Sequence, residues 1–242
     1  MIYDEVSSFY DKFKGRKCVI GYSFKGRAIF AFHVGDLSGR QYLSSYAIHG
    51  REWITARLAM EHIKHPTEEG GWIIPLVNPD GAVMCQSGQP MWKANARGVD
   101  INVNFDADWG MGRLNTRVRG PSNCIGDRPF SESESRALAL FTRQIKPYVT
   151  FSFHTKGEEI YWEFNGRGNK RGAELLAEST GYAVRKITGS AGGYKDWCIQ
   201  KLNIPAYTIE CGSDSLAHPI TRLDALSNCY DILKYFTTNY EK

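Results

Sequence analysis

Ala47-Ile48-His49-Gly50-Arg51-Glu52-Trp53-Ile54-Thr55 is the stretch from which the rest of the chain can be read. A small, apolar lead-in from Ser45 to Ile48 delivers a histidine into a glycine turn. A glutamate follows three residues later, just as an amphipathic run begins (Trp53, Ile54, Ala56, Leu58, Ala59, Ile63). The pattern predicts strand, turn and helix in succession. At i and i+3 across such a junction, an imidazole nitrogen and a carboxylate oxygen can converge on one cation, each about 2 Å from a zinc ion. Alone, His-x-x-Glu also fits a half-buried histidine beside a helix-start glutamate held by the dipole. The metal reading needs a third ligand from elsewhere.

Two later stretches offer candidates. In Val149-Thr150-Phe151-Ser152-Phe153-His154-Thr155 a β-prone run ends in a histidine and is followed by Lys156-Gly157-Glu158-Glu159. In Ala206-Tyr207-Thr208-Ile209-Glu210-Cys211-Gly212 another short β run ends in a carboxylate and a glycine. Three strand ends thus carry groups suited to metal chemistry, and the carboxyl ends of strands are where open α/β sheets build their sites.

On these residues the chain resembles the zinc carboxypeptidase family, over a span from about Ser23 to Pro219. The resemblance implies one zinc per chain, held by His49, Glu52 and His154, with Glu210 as general base and acid. Three further stretches look most like the bacterial branch that cuts γ-D-glutamyl bonds to diaminopimelate in peptidoglycan peptides. They are Trp92-Lys93-Ala94-Asn95-Ala96-Arg97-Gly98-Val99-Asp100-Ile101-Asn102, the run from Ser152 to Trp162, and Ser190-Ala191-Gly192-Gly193-Tyr194-Lys195-Asp196-Trp197.

The chain also departs from the family pattern. The arginine that the family uses to stabilise the oxyanion is matched by Lys93, a point charge instead of a planar fork. Arg97 is close enough in sequence to share or take over that role. The Asn-Arg pair that clamps a C-terminal carboxylate is matched by Asn102-Val103, and valine cannot make the bidentate bond. The segment Ser213 to Pro219 lacks the tyrosine that many members place near the substrate terminus. The resemblance puts Lys195 at the floor of the specificity pocket, where a lysine favours an acidic partner such as a carboxylate of diaminopimelate or glutamate.

Composition sets the frame. The chain has 242 residues, 42% of them hydrophobic and 23% charged, and no linker-like tract, so one catalytic domain spanning residues 1–242 is expected. The net charge of +4 is mild and no Lys/Arg run suggests a nucleic-acid arm. No run approaches a membrane span. Six scattered cysteines show no Cys-x-x-Cys spacing, and the acidic N-terminus (Asp4, Glu5) shows no signal peptide, so free thiols and a cytoplasmic location are expected.

The remaining sequence reads as scaffold. An amphipathic helix (Val6, Phe9, Tyr10, Phe13) precedes a hairpin formed by strands near Cys18 to Tyr22 and Ala28 to Val34. A strand from about Gln41 to Ile48 leads into the histidine turn, and the helix after it runs to about Lys64. His62 and His65, at its end, are expected to be cationic or solvated. The apolar run Trp72 to Val77 reads as a buried strand closed by the turn residues Asn78-Pro79-Asp80-Gly81. Met91 to Phe105 and Gly110 to Ile125 read as loops, the latter near the cleft. Ser131 reads as an N-cap with Glu134 as its capping-box partner, starting a helix that Pro147 stops. Helices follow at about Lys170 to Thr180 and Leu223 to Asn239.

Strands alternating with helices argue for an α/β sandwich. The resemblance makes it a three-layer sandwich with a mixed, mainly parallel eight-stranded sheet and helices on both faces. Three functions compete: a zinc amidase acting on short muropeptides, a zinc carboxypeptidase trimming acidic C-terminal residues, and a binding module without catalysis.

Overall fold

The computed structural model describes residues 1–240. Helix α1 (Ile2–Lys12) leads into strands β1 (Lys17–Tyr22) and β2 (Ala28–Val34), followed by β3 (Tyr42–Tyr46), α2 (Ile54–Lys64), β4 (Gly71–Ile74) and α3 (Pro79–Gln86). After a long irregular stretch come α4 (Ser133–Ile145), β5 (Val149–His154) and β6 (Glu159–Tyr161). A small hairpin, β7 (Glu163–Phe164) and β8 (Arg167–Gly168), precedes α5 (Lys170–Thr180) and β9 (Ala183–Arg185). The chain ends with α6 (Tyr194–Trp197), β10 (Ala206–Glu210) and α7 (Ile232–Asn239).

Eight strands form one sheet in the order β1-β2-β4-β3-β5-β10-β6-β9. The central strands β4, β3, β5 and β10 run parallel to one another; β2 and β6 flank them antiparallel. Alternation along each strand feeds two cores. On β5, Val149, Phe151 and Phe153 face a core shared with α1, α2, α5 and α7. The opposite face packs Leu43, Trp72 and Ala206 against α4, α6 and the segment around Phe105. Thr150, Ser152 and His154, on the polar alternation of β5, are all buried. The mixed sheet with helices on both faces agrees with the sequence expectation.

Several boundaries differ from it for local reasons. The run to Val77 leaves the sheet after Ile74, and Asn78-Pro79-Asp80-Gly81 opens helix α3 instead of a turn: Asn78 caps it by accepting the Gly81 N–H (2.9 Å), with proline in the first turn. Ser131 is not the cap of α4. The cap position is Glu132, and the Ser131 hydroxyl donates to the Glu132 carboxylate (2.7 Å). The last helix is split into a 3-10 segment, Leu223–Cys229, and α7. His62 is buried: its Nδ1 accepts from the Tyr46 hydroxyl (2.5 Å) and its Nε2 donates to the Cys229 carbonyl (2.8 Å). Burial pushes this imidazole down to about 4, so it is neutral and internal instead of cationic and solvated.

Candidate metal centre

The site stands at the carboxyl ends of three adjacent parallel strands. Tyr46, the last residue of β3, pairs with Phe153 of β5, and His154 pairs in register with Glu210 of β10. In-register neighbours in a parallel sheet project to the same face. His154 and Glu210 are therefore brought side by side by strand pairing alone. The histidine turn follows β3 directly. There Gly50–Glu52 form one 3-10 turn ahead of α2, with His49 as its cap residue. In a 3-10 turn the side chains at i and i+3 eclipse, so His49 and Glu52 stack over one another.

Close packing of backbone explains the glycine between them. A Cβ on Gly50 would lie 2.4 Å from the Gly81 carbonyl oxygen and 2.8 Å from that of Trp92. Asn78 ties the same three segments together, donating from Nδ2 to the carbonyls of Ile48 (3.2 Å) and Ala94 (3.1 Å) while its Oδ1 caps α3.

His49, Glu52 and His154 are all buried and offer one ligand atom each within 4.8 Å of one another. His49 Nδ1 is 2.9 Å from Glu52 Oε1; His154 Nδ1 is 3.0 Å from Glu52 Oε2 and 3.2 Å from His49 Nδ1. Two donors placed 2.0–2.1 Å from one tetrahedral ion stand roughly 3.3 Å apart, so the triangle has the dimensions that zinc requires. The opposite ring nitrogens are engaged. His49 Nε2 faces Asp100 Oδ1 at 3.3 Å and His154 Nε2 contacts the Ser152 hydroxyl at 3.0 Å. Partners of this kind orient metal-ligating imidazoles and leave Nδ1 free to bind. The donor set fits zinc.

The electrostatics agree. Burial opposes ionisation of Glu52, but His49 and His154 outweigh it and hold the carboxyl well below its ordinary range. Asp100 is likewise buried yet kept ionised by Lys93, at 3.6 Å, and by His49. Glu210 lies in the same cavity as His49 and Lys93. Burial, reinforced by the charge of Glu52, raises its carboxyl to about 8 against the pull of His49 and Lys93.

The cavity measures about 380 Å³ and is also lined by Asp100, Asn102, Val103, Arg113, Asn115 and Ile187. Lys93 is thus at the site, whereas Arg97 is not among the residues that line it. Asn95 accepts the Arg97 and Val99 backbone N–H groups (2.9 and 3.1 Å) on its Oδ1, and the turn so formed sends the Arg97 guanidinium outward. There it meets Glu132 and Asp127, each at 3.4 Å, and lies over the Phe24 ring. Asn102 lines the cavity, its Oδ1 accepting the Tyr194 N–H (3.1 Å).

Lys195 reaches a smaller adjoining recess shared with Asn102, Tyr161, Thr208 and Glu210. It is buried, and its ammonium donates to Asp196 (2.6 Å) and to the Glu163 carbonyl (2.7 Å). Its charge is compensated by Asp196, which the sequence reading left out. Asp100 and Ser152 were also missed. Both lie inside the quoted stretches, and Ser152, two residues before His154 on one strand, shares its face by the period of two.

The zinc carboxypeptidase family profile matches residues 12–225. A curated relative, γ-D-glutamyl-L-diamino acid endopeptidase 1 of Lysinibacillus sphaericus, is 29% identical over 86% of this chain, which spans 63% of that protein's length. Among solved structures, bovine thrombin-activatable fibrinolysis inhibitor superposes with a TM-score of 0.83 at 18% identity, over 98% of this chain and 93% of that one. The murein-tripeptide amidase of Escherichia coli gives 0.66 at 24% identity, over 94% and 91%. With the profile covering most of its length and the His-Glu-His triangle in place, the chain belongs to the zinc carboxypeptidase family.

Proposed function

We propose that this chain is a zinc-dependent peptidase that hydrolyses the γ-D-glutamyl bond to a diamino acid, such as meso-diaminopimelate, in short peptidoglycan-derived peptides. The observation that carries the hydrolytic reading is Glu210 facing the same cavity as His49 of the triangle and pairing in register with His154, the triangle's ligand on the adjacent strand. Zinc held by His49, Glu52 and His154 would supply Lewis acidity and lower the pKa of a water molecule toward neutrality. With the positive charge of the metal favouring its carboxylate form, Glu210 would take a proton from that water as the water oxygen attacks the amide carbonyl. The Lys93 ammonium, positioned by Asp100, offsets the negative charge that develops on the carbonyl oxygen. Glu210 then delivers the proton to the departing nitrogen as the C–N bond breaks. Arg97, held by Glu132 and Asp127, takes no part in this reading.

The substrate class rests on the likeness to the γ-D-glutamyl-L-diamino acid endopeptidase and on a cleft whose wall carries Lys93 and Arg113. The competing reading, release of acidic C-terminal residues selected by Lys195, loses its main support because Asp196 compensates that lysine. Incubating zinc-loaded protein with L-Ala-γ-D-Glu-meso-diaminopimelate, and separately with peptides ending in Glu or Asp, tests the choice by mass spectrometry. Release of diaminopimelate without trimming of the acidic peptides supports the proposal; the reverse pattern refutes it.

A cytoplasmic setting belongs to the same reading. It accords with six free cysteines, including the buried Cys211 and Cys229, whose sulfurs are 3.1 Å apart. Thiol titration of the denatured protein from freshly lysed cells is expected to count six, and a count of four or fewer would argue against that setting.

A further inference from the structure

The cations around the cleft are not equivalent. Lys93 faces Asp100 at 3.6 Å and Lys195 faces Asp196 at 2.6 Å. Arg113 lines the same cavity as His49 and Glu210, is exposed, and has no acidic partner among the described residues. Two residues on, Asn115 lines that cavity too, and its Nδ2 is buried without a hydrogen-bond partner. Buried donors left unpaired are uncommon in folded proteins, and this one belongs to the same cavity wall as a guanidinium without an acidic partner among the described residues.

The loop that carries both donors is fixed at the two margins of the cavity. At one margin, the Arg113 N–H donates to the Gly189 carbonyl (2.8 Å). Gly189 has a φ of +76°, and a Cβ there would stand 3.1 Å from Arg113 Nε and Nη2. The guanidinium is therefore laid against bare backbone. At the other margin, Thr116 bridges to Cys124, and the Asn123 N–H donates to Asp100 Oδ2 (3.1 Å). The second oxygen of Asp100 faces His49. The donors are thus registered to the metal triangle through a short chain of contacts.

Val103 lines the cavity with a side chain that can donate nothing. We propose that Arg113 and Asn115 form the carboxylate-binding subsite of this chain, taking the free carboxylate adjacent to the scissile nitrogen. The inference rests on the hydrolytic reading above and narrows its substrates to amides whose leaving amine carries an α-carboxylate. A guanidinium offers two parallel N–H donors to a carboxylate, and rotation of the Asn115 side chain, whose Nδ2 is enclosed at the cleft wall, adds a third.

Binding of two peptides to zinc-loaded Glu210→Gln protein, measured by calorimetry, tests this without turnover. One is L-Ala-γ-D-Glu-meso-diaminopimelate; the other carries a carboxamide in place of the carboxylate next to the scissile nitrogen. The free acid is expected to bind tighter by about 10- to 100-fold, the range of a hydrogen-bonded charge. Adding Arg113→Ala should close that gap, Arg113→Lys should restore part of it, and Asn115→Ala should narrow it. Equal binding of the two peptides, binding of neither, or a gap that survives Arg113→Ala overturns the subsite. If the gap depends on Arg113 while the wild-type protein releases no diaminopimelate, the hydrolytic reading fails and the subsite stands.

Discussion

At the scale of single residues, the chemistry divides among groups that bind, orient and transfer protons. Glu210 neither joins the triangle nor makes an ion pair among the described residues, so Glu210→Gln is expected to keep its zinc while losing about 10²- to 10⁴-fold in hydrolysis. Elemental analysis beside a rate assay checks both halves, and loss of the metal in this variant would contradict the division of roles. Asp100 acts through His49 and Lys93. Asp100→Asn should weaken zinc affinity by about 10- to 100-fold, seen as competition with a chelator, and unchanged affinity would show that the 3.3 Å contact does not orient the ring. The positions of the ligands and Glu210 were legible because His49, His154 and Glu210 each end an apolar run and Glu52 stands at the start of one. Arg97 was misread because sequence proximity to Lys93 says nothing about the Asn95 turn between them, which aims the two cations apart. Arg113 was hidden for the opposite reason: its loop has no periodicity, and only its bond to Gly189 shows where it comes to rest.

At the scale of elements, the centre depends on how the 3-10 turn, α3 and the loop after it meet at Asn78. Its amide serves a helix cap and the backbones on either side of the metal turn, so Asn78→Ala loses a cap worth about 1 kcal/mol and leaves buried carbonyls short of a donor, about 1–3 kcal/mol more. Urea denaturation should show a loss in that combined range, together with weaker zinc binding. A loss confined to a few tenths of a kcal/mol would mean that the turn is held elsewhere. The sequence reading took Asn78 to Gly81 for a simple turn because Asn-Pro-Asp-Gly fits both, and helix α3 behind it has little amphipathic pattern. Ser131 was misassigned as a cap for a related reason. Glu134, its supposed partner, is drawn inward to the Phe24 N–H and the Asn95 amide, contacts 110 and 39 residues away in sequence. By contrast α2 and α5 follow their apolar stripes and were legible almost to the residue.

At the scale of the whole molecule, sheet order is what makes a site out of scattered motifs. No local pattern states that β3, β5 and β10 are neighbours; the resemblance supplied the kind of sheet, and the structure its strand order. The same packing buries His62 between Tyr46 and the Cys229 carbonyl. Its pKa falls from 6.5 to about 4 on folding, so between those values the unfolded chain binds more protons and stability drops as the pH drops. The contribution is complete above about pH 6.5, and the loss amounts to about 3 kcal/mol by pH 4. Wild-type and His62→Gln stabilities, measured by denaturation from pH 7.5 downward, should converge as acid is added; parallel curves would place the imidazole in water. Zinc binding to the folded triangle should in turn raise the melting temperature, by an amount that grows with free zinc. The most direct measurement of the central claim titrates metal-free protein with zinc while following diaminopimelate release from L-Ala-γ-D-Glu-meso-diaminopimelate. The expected result is a rate that climbs to a plateau at one equivalent per chain and is absent in Glu210→Gln. Full activity before any zinc is added, or undiminished activity in Glu210→Gln, would contradict it.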